Sequence, residues 1–172
     1  RGGDFVVIAD LNEEAGQNTV DQIRELDGKS AFISLDVTSE ESVRVMADSV
    51  EVNHGPISAL INSAGIIHNP ETITEFNLQE FDAVHSVNYR GTFLCCRDIG
   101  TRMQNRGDGV IANIGSMLSF IPYQVTAYTA GKAALKSLPE IRGAEKGENS
   151  VRKNQVPPEN LMIPPLEAGI HT

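Results

Sequence analysis

Short apolar runs alternate with amphipathic helical stretches along most of the chain, and that alternation leaves few folds open. Phe5-Val6-Val7-Ile8-Ala9 is a continuous apolar run of strand length, the pattern of a strand buried on both faces. Residues 12–26 carry Ala15, Val20, Ile23 and Leu26 on a helical stripe, and Gly28 is expected to stop that helix. Residues 31–35 read as a second strand ending at Asp36-Val37. Thr38 or Ser39 can cap the next helix, whose stripe is Val43, Met46, Ala47 and Val50 and which Gly55-Pro56 breaks. Residues 57–61 form a third strand, running into Asn62-Ser63-Ala64-Gly65. A loop over 66–77, a long helix over 78–105, a fourth strand over 110–114, an irregular stretch over 116–126 and a helix over 127–138 follow. Pro139 is expected to end that last helix early. Residues 151–156 are a candidate fifth strand, and the proline-bearing tail reads as loop. Strands alternating with helices predict an α/β fold, a doubly wound parallel sheet with helices on both faces. Such sheets bind ligands at the carboxyl ends of their strands, where Asp10, Asp36, Asn62 and Ser116 fall.

Charge and cysteine use exclude several function classes. The 172 residues carry a net charge of −9, which argues against nucleic acid and anionic membrane surfaces as partners. No apolar run approaches the roughly 20 residues of a membrane helix. The chain shows no signal peptide and no starting Met, so a processed or truncated chain is expected. The two cysteines, Cys95 and Cys96, are sequence neighbours and read as reduced, in a cytoplasmic setting. No metal-ligand spacing is present, and none of His54, His68, His85 and His171 shares a spacing that suggests a site. Each reads as a surface or loop histidine, although His68 follows the Asn62–Gly65 turn closely enough to approach a substrate.

Chemistry enters at Tyr128-Thr129-Ala130-Gly131-Lys132. On a helix, positions i and i+4 share a face. An ammonium beside a phenol favours the phenolate, which makes the tyrosine a usable acid or base near working pH. Alone, this spacing arises often by chance. Here Ser116 precedes it after a strand, Asn88 lies within the long helix, and the turn Asn62-Ser63-Ala64-Gly65 stands upstream.

With these motifs in this order the chain resembles the short-chain dehydrogenase/reductase family, over about residues 1–165. The resemblance implies a single, partial NAD(P)-binding domain over 1–172 with a Rossmann-like fold. It implies that Tyr128 exchanges a proton with the substrate oxygen and that Ser116 hydrogen-bonds the same oxygen. Ser119 is a nearby alternative, because Ser116 stands one residue nearer to Tyr128 than is usual in the family. Lys132 would favour the Tyr128 phenolate and bind the nicotinamide ribose, and Asn88 would hold a water linking Lys132 to solvent. Asp36 and Val37 would flank the adenine, while Asn62, Ala64 and Gly65 would line the cofactor. Asp10, closing its strand, can accept from a free ribose 2′-hydroxyl and would repel a 2′-phosphate, so NAD is expected over NADP. The long helix near 78–105, with Phe93, Cys95, Cys96 and Met103, would build a homo-oligomer contact or core.

The sequence also departs from the family's pattern. Arg1-Gly2-Gly3 looks like the end of the helix that follows the family's Gly-rich turn. The first strand, the turn and most of that helix are therefore expected to be missing, leaving an incomplete sheet with a gap at its middle. Glu159 and Ile163 replace a Gly and a Thr in a segment resembling the one near the nicotinamide carboxamide, and the last strand and helix are also absent. Two functions stay open. One is an NAD-dependent oxidoreductase acting on a small-molecule secondary alcohol or the matching ketone. Ser116-Met117-Leu118-Ser119-Phe120, which looks like a segment of sugar-acid dehydrogenases, points there to a polyol or sugar acid. The other is a catalytically inactive fragment that binds a dinucleotide weakly or a partner subunit.

Overall fold

The computed structural model describes residues 4–120 and 124–138, and the backbone of residues 152–156. Strand β1 (Phe5–Asp10) leads through helix α1 (Glu13–Glu25) to β2 (Lys29–Ser34), and α2 (Glu40–His54) leads to β3 (Ala59–Asn62). Helix α3 (Leu78–His85) passes through a π-helical segment (Ser86–Gly91) into α4 (Thr92–Arg106). Strand β4 (Val110–Ile114), a 3-10 turn (Met117–Ser119), α5 (Thr126–Ala134) and β5 (Arg152–Val156) follow.

All strand pairs are parallel, but the strands form two sheets rather than one. β1 pairs with β2 from Phe5↔Lys29 to Asp10↔Ser34. β4 lies between β3 and β5, with Asn62 opposite Asn113. Among the described residues β1 and β3 make no ladder with each other. Helices α2 and α4 span the two sheets and bury one core with them. It holds Val43, Met46 and Val50 from α2, Leu94, Ile99 and Met103 from α4, and Val7, Ile33, Leu60 and Ile111 from the strands. Arg102 reinforces the helix pair, bonding Asp48 at 2.7 Å, Asp98 at 2.8 Å and Glu51 at 3.1 Å. On the opposite face Val6 is 41% and Ile61 68% exposed. Burial of these strands on both faces, the expectation from their apolar runs, is thus not met there.

Local chemistry sets the helix ends. Asn12 caps α1 by accepting from Ala15 N, and Ser39, rather than Thr38, caps α2 by accepting from Ser42 N. The α1 stop differs from the expectation. Asp27 takes the left-handed conformation at φ 60°, while Gly28 N donates to Ile23 O at 2.9 Å and Asp27 N to Arg24 O at 3.0 Å. Gly28 is needed for space instead, because a Cβ there would fall 2.6 Å from Ile23 Cγ2. β2 and β3 each sit one or two residues away from their expected bounds. The long helix is interrupted by the π-helical turn at Asn88, and α5 ends at Ala134, before Pro139, which lies outside the described residues.

Candidate active site

The carboxyl end of β3 runs into Asn62-Ser63-Ala64-Gly65, and the chain then meets Asn88. Asn88 is fully buried where the helix widens into its π turn. Its Nδ2 donates to Ile66 O and its Oδ1 accepts from Ile66 N, both at 2.8 Å. A side-chain amide thus pairs with a peptide group and fixes the backbone just past Gly65. The Asn88 amide spends a bond from each end on Ile66, so any hold on water falls to its remaining hydrogen and lone pair.

Lys132, on α5, is only 4% exposed. Its Nζ donates to Ile114 O at 3.0 Å, at the carboxyl end of β4. Burial pushes its pKa below the usual lysine value, because an ammonium loses hydration there. A Cβ on Gly65 would lie 3.4 Å from Lys132 Nζ and 3.5 Å from Asn88 Oδ1. Gly131, beside Lys132 on α5, would place a Cβ 3.4 Å from Asn88 Cβ. Small residues on both sides therefore let Asn88, Lys132 and the Gly65 backbone converge. Tyr128 is half-buried one turn before Lys132, whose Nζ stands 5.9 Å from the phenol ring centroid. Two residues past Ile114, Ser116 is 9% exposed, and its Oγ accepts from Leu118 N at 3.2 Å while capping the 3-10 turn. The Ser119 Oγ is buried without a partner.

The remaining expected residues sit at strand ends. Asp10 is exposed, with Oδ1 accepting from Asn12 N at 2.9 Å. Asp36 accepts from the Thr38 hydroxyl at 2.7 Å and from Thr38 N at 2.9 Å. Those bonds, the hydroxyl's first, hold its carboxyl below the usual aspartate value. Val37 packs against Gly91, where a Cβ would fall 2.7 Å from Val37 Cγ2. Asn62 turns inward, donating to Asn113 Oδ1 at 2.8 Å and to Cys96 Sγ at 3.3 Å, so of the turn only Ala64 and Gly65 are open to solvent beside Ser63. Sequence reasoning missed Asn113, the clamped peptide of Ile66 and the Ile114 carbonyl. Asn113 carried a signal, since it is a polar residue inside an otherwise apolar strand. The two backbone groups carried none. His68 lies in the loop, as expected, and is buried there, with its ring centroid 4.2 Å from that of Phe76.

The family model described as short chain dehydrogenase matches residues 1–165. The chain belongs to that family. Among curated short-chain dehydrogenase relatives, the D-threitol dehydrogenase of Mycolicibacterium smegmatis is 32% identical over 157 residues, which cover 91% of this chain and 60% of that protein. The chain spans about 60% of the length of the first curated relatives it matches. Among solved structures, an NAD+-bound xylitol dehydrogenase superposes with a TM-score of 0.83 at 28% identity, covering 88% of this chain and 58% of that one. A metagenomic short-chain oxidoreductase in complex with NADP gives 0.84 at 26% identity, covering 91% and 71%. Known members of the family thus bind either nicotinamide cofactor. No described helix is long and apolar enough to cross a membrane.

Proposed function

We propose that these residues form the catalytic part of an NAD-dependent oxidoreductase acting on the CH–OH group of a secondary alcohol, or on the matching ketone, with a polyol or sugar acid as substrate. The observation that carries this reading is the convergence of Asn88, Gly65 and Lys132, with Tyr128 one turn away on α5. A buried ammonium with one acceptor among the described residues, Ile114 O, keeps further N–H donors for ribose hydroxyls. Gly65 leaves room beside that ammonium, and Asp10 keeps one carboxylate oxygen for a 2′-hydroxyl. These features fit a dinucleotide, which when bound would supply or accept the hydride.

In the oxidation direction Tyr128 takes the proton of the substrate hydroxyl, and Ser116 donates a hydrogen bond to the same oxygen. Lys132, with N–H donors beyond its bond to Ile114 O, holds the nicotinamide ribose. Asn88 acts through Ile66, keeping the backbone beside Lys132 in one geometry. A homo-oligomer through the long helix near 78–105, where Phe93 is 43% exposed, belongs to the same reading.

Activity is best tested in a completed chain, meaning one in which a strand and a Gly-rich turn precede Arg1, natively or by fusion of that segment from a relative. Tyr128→Phe should remove about 100-fold or more of kcat while NAD affinity stays nearly unchanged. Activity retained within about tenfold would remove Tyr128 from its role. Asp10→Ala should narrow the NAD-over-NADP ratio of kcat/KM, because it removes both an acceptor and a repulsive charge. An unchanged ratio would leave Asp10 only its contact with Asn12. The second reading, a catalytically inactive module that binds a dinucleotide weakly or a partner subunit, is favoured by the break between β1 and β3.

A further inference from the structure

The two ends of the proposed cofactor site stand on different sheets. Asp10 closes β1, while Lys132 is tied to Ile114 O at the carboxyl end of β4. Among the described residues no ladder joins those sheets. Their relative position is set by the helices between them and by the side chains that those helices present.

The π-helical turn at Ser86–Gly91 reaches both sides. Asn88 holds the Ile66 peptide beside Gly65 and Lys132. Two residues on, and so on another face of the helix, Arg90 Nη1 donates to Thr38 O at 2.6 Å. Gly91 packs on Val37 in the same loop. That loop is a block braced from within. Asp36 Oδ1 accepts from the Thr38 amide and hydroxyl, Ser39 N donates to Asp36 O at 3.2 Å, and Ser42 Oγ bonds Asp36 N at 3.0 Å. At its head, Leu35 N donates to Asp10 O at 3.0 Å, so the end of β1 stands where the block stands. Arg90 is exposed, and water can replace its bond to Thr38 O, but water does not fix where that carbonyl lies. We infer that Arg90 is a positioning residue for the adenosine end of the dinucleotide: from the turn that holds the Lys132 side, it fixes the Asp36–Thr38 block and, through Leu35, Asp10. This rests on the oxidoreductase reading above, with Asp10 at the ribose 2′-hydroxyl. Arg90 itself touches neither cofactor nor substrate in this role.

Arg90→Met keeps the aliphatic stem and removes the donors. In the completed chain it should weaken ADP-ribose, followed by calorimetric titration, about 3- to 10-fold. KM for NAD should rise by a similar factor, with kcat at saturating NAD within about twofold. Arg90→Lys, which restores a cationic donor, should recover part of the ADP-ribose affinity. Unchanged ADP-ribose affinity in Arg90→Met, a loss confined to kcat, or no recovery in Arg90→Lys would overturn the inference. If the parent chain does not bind ADP-ribose, the dinucleotide reading fails by itself. The nuclear Overhauser contact between Gly91 Hα and the Val37 methyls in the 172-residue chain then decides separately. Its weakening in Arg90→Met supports Arg90 as the brace of the block, and an unchanged contact overturns that role.

Discussion

Lys132 shows how a residue proposed to serve a site can weaken the fold that holds it. Its ammonium is buried, and among the described residues it has one acceptor, Ile114 O, and no carboxylate paired with it. Its pKa in the folded chain lies below the usual 10.5 because burial disfavours the charged form. Between those two values the unfolded chain binds more protons, so stability rises with pH through that window. Below the folded value the full cost is present. Lys132→Met should therefore raise Tm at pH 7 by a few degrees, roughly 1 kcal/mol, while removing activity. The gain should shrink as the pH approaches 10.5. Thermal melts of parent and variant from pH 7 upward check this, and a variant that melts lower at pH 7 would mean that the ammonium stabilises its surroundings. Asp36 has the opposite sign. Thr38 holds its carboxyl below the usual 3.8, so that contribution is present above this value and lost as the pH falls through the folded one. Cys95, pushed up to about 12 chiefly by burial, belongs to the core rather than to the chemistry.

At the scale of elements, the π-helical turn is where the long helix becomes part of the site. Ser86–Gly91 presents Asn88 to Ile66 on one side and Gly91 to Val37 on the other. Arg90 adds a bond from Nη1 to Thr38 O at 2.6 Å, so the loop after β2 is held against this turn twice. A Cβ on Gly91 would lie 2.7 Å from Val37 Cγ2 and 3.0 Å from Val37 Cβ. Gly91→Ala should therefore destabilise the chain by about 1–3 kcal/mol through overpacking. Alanine's advantage of about 1 kcal/mol inside a helix acts against this and sets the low end. Denaturant unfolding measures the outcome, and an unchanged midpoint would show that the Asp36–Val37 loop gives way instead.

At the scale of the whole molecule, two parallel sheets share one core through α2 and α4, while β1 and β3 each keep an edge without a ladder toward the other. Unpaired strand edges recruit other chains. The grip on a pyrophosphate in such folds comes from a Gly-rich turn at a helix N-terminus, and none follows a strand ahead of β1 in these 172 residues. On the proposed reading, what they do hold would lie at the two ends of a dinucleotide: the carboxylates of Asp10 and Asp36, and Lys132. A polypeptide of residues 1–172 alone should therefore bind NADH poorly and turn over little or no alcohol, since catalytic groups act only on a reactant held in alignment. Calorimetric titration with NADH, with an assay on polyols and ketones, checks this. Micromolar affinity with measurable turnover would show that another segment grips the phosphates.

The strand–helix alternation, the parallel pairing it implies and the Tyr128–Lys132 spacing were legible in the sequence, because each depends on local periodicity. The stripe Val43, Met46, Ala47 and Val50 marked the buried face of α2, and all four are buried. Caps were legible as residue types, but which residue takes a left-handed turn was not. Asp27 and Gly28 compete within two positions, and the packing of Gly28 on Ile23 decided between them. Tertiary structure alone decided that Asn88 clamps the Ile66 peptide, that Asn62 turns inward to Asn113 and that His68 is buried with a free nitrogen. It also decided that the apolar strands are covered on one face and partly open on the other. These outcomes join groups 22 or 51 residues apart, or depend on what covers a face. Local pattern records a residue's own chemistry and its neighbours within a turn, whereas a buried polar group's partner is set by which backbone the rest of the chain brings within reach.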